Sequence, residues 1–251
     1  MPDADPDHIE VLRSEFDRAA ASFDARTVGR FNHLKVVEFS RAAPGAIVLE
    51  VGAGTGGFLS LFDEVASIQI GVDLTPGMLA EMSRTKPNLT PTLADGANLP
   101  IRSEVIDLVA SAQMFHHVHQ PLPILREMRR VVRLEGHALV LDQVASERVE
   151  EVEMMHKLEV LRDPSHAATR PPSALRIMVL SAGFEIADEK IASSEQRMSS
   201  WMWPGEFPAQ RMDAVDRFIS EHGHDTGMGF ERDGDDWVFE RRRMMLLLRR
   251  V

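Results

Sequence analysis

Residues 47–58 read IVLEVGAGTGGF. Ile47, Val48 and Leu49 are a short apolar run of the kind that becomes a buried strand. Glu50 stands at its end, and a turn containing Gly52, Gly54, Gly56 and Gly57 follows. Phe58-Leu59-Ser60-Leu61-Phe62 then reads as the start of a helix, expected from about Gly57 to Asp63. A strand that breaks into a glycine-rich turn and re-forms as a helix offers bare backbone N–H groups to a ligand. Taken alone, the glycines satisfy the dinucleotide pattern G-x-G-x-x-G, and Asp73 follows at about the spacing that pattern expects. Each glycine is equally well explained as a tight turn needing positive φ.

Working outward, Ala66 to Val72 reads as a second strand ending in Asp73, followed by a helix from Thr75 to Arg84 with Pro76 in its first turn. Thr90 to Ala94 is a weak third strand leading into Asp95-Gly96-Ala97-Asn98-Leu99-Pro100. Glu104 to Ala110 is a strong fourth strand. A helix from Pro121 to Leu134 precedes a fifth strand, His137 to Gln143. Short strands separated by helices indicate βαβ units and a parallel sheet. Glu50, the glycine turn, Asp73 and Asp95 therefore fall at the carboxyl edge of one sheet, where such folds bind ligands. A carboxylate at position 50 would repel a pyrophosphate but suits an ammonium group. Asp73 can accept from both ribose hydroxyls. Asp95 can accept from an adenine amino group while a neighbouring backbone N–H donates to the ring. Together these fit S-adenosylmethionine better than NAD, so an NAD-dependent oxidoreductase is the disfavoured alternative.

At the N-terminal side, Asp7 to Asp24 has apolar residues at helical spacing, and a second helix is expected from about Val28 to Ala43. After the fifth strand come a charge-rich helix from Ser146 to Leu161 and the loop Arg162-Asp-Pro-Ser-His166. A helix from Pro172 to Ala182 is stopped by Gly183. Next are a strand from Phe184 to Ile191, an irregular aromatic stretch from Trp201 to Pro208, a helix from Ala209 to His222 and a strand from Asp236 to Arg250. The expected organisation is a single domain over 1–251. Residues 1–45 are a helical lid, 46–144 the cofactor-binding core, 145–182 a cap insertion, and 183–251 the final strands and helix.

The chain of 251 residues carries a net charge of −11 and no cysteine. The charge disfavours a nucleic-acid partner, and the missing thiols exclude disulfides and thiolate metal sites. No apolar run reaches the ~18 residues of a membrane span. The segment MPDADPDHIE lacks the basic and apolar regions of a signal peptide. A cytoplasmic location, a small-molecule substrate and no membrane partner are expected, with monomer and homodimer both open. The basic run Arg241-Arg242-Arg243 reads as a solvated face of the last strand.

Four blocks carry a family resemblance: VLEVGAGTGGF (48–58), GVDLTPGMLAEM (71–82), ADGANLPIRSEVIDLVASAQMFHHV (94–118) and LREMRRVVRLEGHALVLD (125–142). In this order the chain resembles the class I S-adenosylmethionine-dependent methyltransferases, in particular the ubiquinone/menaquinone type (methyltransferase type 11). The resemblance implies an α/β Rossmann-like fold whose seven-stranded, mostly parallel sheet runs 3-2-1-4-5-7-6, with strand seven antiparallel. It implies that Glu50, Gly52, Ala53, Gly54 and Thr55 line the methionine moiety, Asp73 the ribose, and Leu74 and Met78 the ribose and adenine. Asp95, Gly96 and Ala97 would read the adenine, and Ala112 and Gln113 would flank the methionine amino group. Two departures stand out. Glu135-Gly136-His137 replaces the usual glycine pair near strand five and reads as a surface turn. The chain has no tyrosine, so Phe23 takes the place of the aromatic that often closes over the cofactor.

Methyl transfer needs alignment and exclusion of water, and a general base only where the acceptor must lose a proton. His117, within His116-His117-Val118-His119, matches the family's frequent histidine. It reads as a structural residue, as a base or substrate contact, or, least, as a metal ligand, since the local cluster lacks a carboxylate. His166 is the second candidate base, with a turn role as its alternative. No metal is expected. The acceptor pocket is expected from Met114, Phe115, Met154, Met155, Leu158 and Trp201-Met202-Trp203, an apolar set unless these residues form only core. The expected function is methyl transfer to carbon, oxygen or nitrogen of a small organic acceptor, possible settings being secondary metabolism and quinone-like biosynthesis. The alternative is an S-adenosylmethionine-binding protein catalysing a cyclisation or rearrangement.

Overall fold

The computed structural model describes residues 6–27, 29–202 and 209–250. Helix α1 (Pro6–Thr27) leads through a 3₁₀ turn (Asn32–Leu34) to the short α2 (Val36–Ser40). The core follows as β1 (Ala46–Val51), β2 (Ala66–Asp73), α3 (Pro76–Thr85), β3 (Thr90–Leu93), β4 (Ile106–Ala112), α4 (Pro121–Val131) and β5 (Val132–Gln143). Then come α5 (Val149–Arg162), α6 (Pro172–Ser181), β6 (Phe184–Arg197), α7 (Met198–Trp201), α8 (Ala209–His222), β7 (Glu231–Asp233) and β8 (Asp236–Arg250).

The strands form one sheet in the order β3-β2-β1-β4-β5-β8-β6. Strands β1 to β5 are mutually parallel, and β8 runs antiparallel to both β5 and β6. This is the expected order, with β8 in the place of the seventh strand. The eighth is β7, three residues folded back on β8 across Gly234 at φ 62°. An Asp-Gly pair is a hairpin signal, and here it sits in plain view at 233–234.

Alternation along the strands sends neighbouring side chains to opposite faces. Leu49, Val109 and Val140 pack under Leu125, Met128, Leu175 and Val179 of α4 and α6. Val48, Leu108, Leu139 and Met245 pack on the other side with Phe31, Leu34, Leu59 and Phe62. Because both faces are covered there, the central strands β1 and β4 and the second half of β5 read as nearly continuous apolar runs.

Several local expectations are corrected. The helix expected from Gly57 to Asp63 is a single 3₁₀ turn, Leu59–Phe62. The carbonyl of Leu59 is taken by the side-chain amide of Gln69 at 2.7 Å, and β2 begins only four residues after the turn ends. The second helix is broken because Lys35 (φ 53°) and Arg41 (φ 57°) are left-handed; its expected first residue, Val28, lies outside the described residues. Glu135-Gly136 is not a surface turn between α4 and β5. It lies inside β5, where the register with β4 jumps from Ile106↔Val132 to Leu108↔His137.

Strands β6 and β8 stay paired as far as Arg197↔Val238, whereas pairing of β5 with β8 stops at Gln143↔Arg243. The free-standing end of this ribbon carries a third apolar cluster. Met155 and Leu158 of α5 meet Trp201, Val215 and Ile219 of α7 and α8, together with Phe239 of β8. No helix among the described residues is long and apolar enough to cross a membrane.

Candidate active site

Glu50 lies near the end of strand β1, and the chain then turns along the carboxyl edge of the sheet. The N–H groups of Gly52 and Ala53 both donate to the Val72 carbonyl, at 2.8 and 3.0 Å. Gly52 (φ 75°) and Gly54 (φ 54°) occupy the left-handed region that side chains disfavour, which explains the residue type there. The turn brings the Gly54 N–H to Asp73 Oδ2 at 2.7 Å, while Thr75 N–H donates to Asp73 Oδ1 at 2.8 Å. Asp73 is thereby pinned at the rim of the turn. Asp95 Oδ1 accepts the Ala97 N–H at 2.9 Å, so that donor is already engaged. From α1, Asp24 bonds the Thr55 hydroxyl and the Lys86 ammonium.

These groups surround a cavity of about 340 Å³. Phe23, Glu50, Gly52, Ala53, Gly54, Thr55, Asp73, Leu74, Asp95, Gly96, Ala112, Gln113 and His117 all line it. Met78 and Ala97 do not. Met78 is buried against Ala19 and Ala20 of α1, and Ala97 packs on the main core. Asp24 of α1 and Arg30 in the loop after it are lining residues that sequence reasoning passed over, because nothing local marks either as part of a site formed by strand ends.

Glu50 is 1% exposed, and burial raises its pKa well above the ordinary carboxylate value, opposed by the charge of Arg30. Its Oε2 is buried with no hydrogen-bond partner among the described residues. A buried acceptor left unsatisfied is costly, so this floor suits a ligand that brings a cationic donor. Burial also raises Asp73, against the backbone N–H bonds of Gly54 and Thr75. An ammonium-bearing adenosyl ligand answers both features.

A second cavity of about 320 Å³ adjoins the first and shares Phe16, Phe23, Arg30, Gln113 and His117 with it. Gln113 at the junction holds φ 56°, a strained conformation for a side-chain-bearing residue. Trp201 and Met202 line this cavity and Met114 lines the first. Phe115, Met155 and Leu158 are buried in apolar clusters, and Met154 lines neither cavity, which corrects the apolar acceptor pocket expected of them. Trp203 lies outside the described residues. Arg241 and Arg243 also line the second cavity, so these two residues of the basic run are not part of a solvated face.

The histidines come from the 3₁₀ turn Phe115–His117 after β4. His117 Nδ1 lies 2.9 Å from the Ser165 carbonyl, which can only accept, so Nδ1 carries the proton. His116 Nδ1 lies 2.6 Å from Asp142 Oδ1, and the His116 N–H donates to Oδ2 at 3.1 Å. The carboxylate partner missing from the local sequence thus arrives from the end of β5. Burial lowers His116 well below the usual histidine value and raises Asp142 to about 6. His166 bonds Thr169 at 2.8 Å, lines neither cavity and is pushed by burial down to about 3. Arg170 ties its loop to the histidine turn by bonds of 2.6 Å to the carbonyls of Phe115 and Val118.

Comparison with known proteins agrees with this geometry. Residues 49–140 match the family described as methyltransferase domain. The chain is 27% identical over 169 residues to the uncharacterized methyltransferase YcgJ of Bacillus subtilis, covering 65% of this chain and 67% of that one. It is also 27% identical over 146 residues to the demethylmenaquinone methyltransferase of Renibacterium salmoninarum, covering 56% of this chain and 60% of the relative. The crystal structure of YcgJ superposes with a TM-score of 0.76 at 21% identity, over 88% of this chain and 99% of that one. The [4+2]-cyclase SpnF superposes at 0.67 and 18% identity, over 96% of both chains. The resemblance to class I methyltransferases and the Rossmann-like fold are thereby borne out.

Proposed function

We propose that this chain is an S-adenosylmethionine-dependent methyltransferase, with the cofactor in the first cavity and a small-molecule acceptor in the second. The observation that carries the reading is the orphaned carboxylate oxygen of Glu50 near the end of β1, two residues before the first glycine of the turn and beside a fixed Asp73. The matched relatives support it through the cofactor-binding half of the chain. Glu50, the Gly52–Thr55 turn, Asp73 and Asp95 would hold the cofactor. When bound, it supplies a methyl group on a sulfonium, activated for displacement by a nucleophile.

The chain's own residues then bind, align and exclude water. Phe16 and Phe23 of α1 cover both cavities, with the Phe16 ring edge-on to His117 at 5.1 Å. Gln113 marks the passage between them. His116 donates its Nδ1–H to the Asp142 carboxylate in a hydrogen bond, which leaves Nε2 as the acceptor on a ring that lines the second cavity. This pair, rather than His166, is placed to take a proton from an acceptor, with His117 at the boundary.

Titration calorimetry tests the assignment. The wild-type chain should bind S-adenosylmethionine, and Glu50→Gln should weaken it at least tenfold, about 1.4 kcal/mol, with an unchanged circular dichroism spectrum. No detectable binding to the wild type would sink the proposal. The fold shared with a [4+2]-cyclase favours one other reading, since a fold does not fix the reaction it hosts. Product analysis separates the two. Acceptor turnover with stoichiometric S-adenosylhomocysteine is methyl transfer, and turnover without it is cyclisation or rearrangement.

A further inference from the structure

The charge of the second cavity is one-sided. Arg30, Arg162, Arg241 and Arg243 line it with His116 and His117, and among the described residues no aspartate or glutamate does. Arg162 has a carboxylate partner, Glu159, at 2.8 Å. Among the described residues, Arg241 and Arg243 bond only neutral groups. Arg241 Nη2 donates to Gln143 Oε1 at 2.7 Å and to Gln113 Oε1 at 3.4 Å, and Arg243 Nη1 donates to Ser194 Oγ at 3.0 Å. The Arg30 guanidinium lies over the Phe31 ring, 4.5 Å from its centroid.

Burial hides these cations, and carboxylates offset it only in part: Asp142 acts on all three, Glu159 also on Arg241, and Glu50 and Asp24 also on Arg30. Arg243 is 3% exposed, and the Nε groups of Arg241 and Arg243 are buried with no acceptor among the described residues. Burial, and then their mutual repulsion, lower Arg241 to about 9 and Arg30 and Arg243 to about 10. The placement follows from the strand. Residues two apart in β8 face the same side, so Arg241 and Arg243 point together while Arg242 points away. A buried cation without a direct ion-pair partner is unfavourable, and guanidinium forks match the paired oxygens of carboxylates and phosphates. Trp201, Met202 and Phe16 supply the remaining apolar wall.

We infer that the second cavity binds the methyl acceptor by an oxyanion, a carboxylate or phosphate, gripped by Arg241 and Arg243 with Arg30 at the shared wall. The word acceptor rests on the methyl-transfer reading, whereas the anion site rests on the cavity alone. The competing source of negative charge is the cofactor's own carboxylate, and the experiment separates it. The full chain, saturated with S-adenosylhomocysteine, is titrated in a calorimeter with benzoate, phenyl phosphate and the neutral benzamide and benzyl alcohol.

At least one anion should bind and the neutral compounds should not, the tighter anion deciding between carboxylate and phosphate. Arg243→Met should weaken that anion at least tenfold and leave S-adenosylhomocysteine affinity within twofold. Equal binding of neutral compounds, or no binding of either anion, overturns the inference on wild-type protein without recourse to a variant. Anion affinity unchanged in Arg243→Met overturns it too. So does a variant that loses S-adenosylhomocysteine instead, because the cations would then serve the cofactor. Anion binding by a wild-type chain that ignores S-adenosylhomocysteine would uphold the anion site and remove the methyl-transfer reading.

Discussion

At the scale of single residues, the decisive pair is His116 and Asp142. Above about pH 6 Asp142 is ionised and accepts a hydrogen bond from His116 Nδ1–H; below it, the acid protonates and that acceptor is lost. Turnover should therefore fall as pH drops from 7.5 to 5, with an inflection near 6, and Asp142→Asn should remove the inflection along with most of kcat. The stability contribution has the opposite sign. A carboxyl raised above its ordinary value binds its proton more tightly when folded, so this group stabilises the fold as pH falls through about 6 and loses that contribution as pH rises. A pH–rate profile that parallels the thermal midpoint would mean that unfolding, not the dyad, sets the activity. The sequence could not display this pair, because 26 residues separate its members and only the β4–β5 pairing joins them. Arg241 and Arg243 were legible in principle, since strand alternation puts them on one face. What sequence lacks is the knowledge that this face of β8 turns inward beyond the end of β5.

At the scale of elements, legibility followed the strength of the local signal. The bounds expected for α8 and β8 are those observed, because amphipathic spacing and a solid apolar run leave little choice. The second helix was misread because two ordinary residues, Lys35 and Arg41, adopt left-handed backbone that no residue type announces. Helix α1 was expected as a lid, and its attachments show how it is held. Arg13 Nε donates to the Leu74 carbonyl at 3.2 Å, Gly77 N–H to Asp17 Oδ1 at 2.7 Å, and Asp24 clasps Thr55 and Lys86. Among the described residues, its buried apolar contact is Ala19, Ala20 and Met78, with Phe16 and Phe23 packed against them, so polar bonds at the cavity rim add to its attachment. Asp24→Ala should raise the Kd for S-adenosylhomocysteine roughly tenfold, the loss of about 1.4 kcal/mol, and move the thermal midpoint by only a few degrees. An unchanged Kd would detach α1 from cofactor binding. Gly77→Ala tests the same contact sterically, since an added Cβ would meet Asp17 Oδ1 at 2.5 Å.

At the scale of the molecule, the chain has two bodies of core joined by one ribbon. The sheet and its two helical layers form the first, and the cluster of α5, α7, α8 and Phe239 forms the second. The cofactor residues hang on the first body, whereas Trp201, Met202 and the arginines that bound the second cavity depend on the ribbon and the second. Phe239 is the joint, 3% exposed, with its ring 4.8 Å from Trp201 and 4.7 Å from Phe230. Replacing a buried phenylalanine by alanine costs about 3–5 kcal/mol, which exceeds what a small cluster can lose and stay closed. Phe239→Ala should therefore speed amide exchange in α5, α7 and α8 while the amides of β1, β4 and β5 keep their protection. Affinity for S-adenosylhomocysteine should stay within twofold, and binding of an anion in the second cavity should be lost. Uniform loss of protection across both bodies would show that they unfold as one unit, and the separation of cofactor binding from acceptor binding would then have to come from the arginine variants alone.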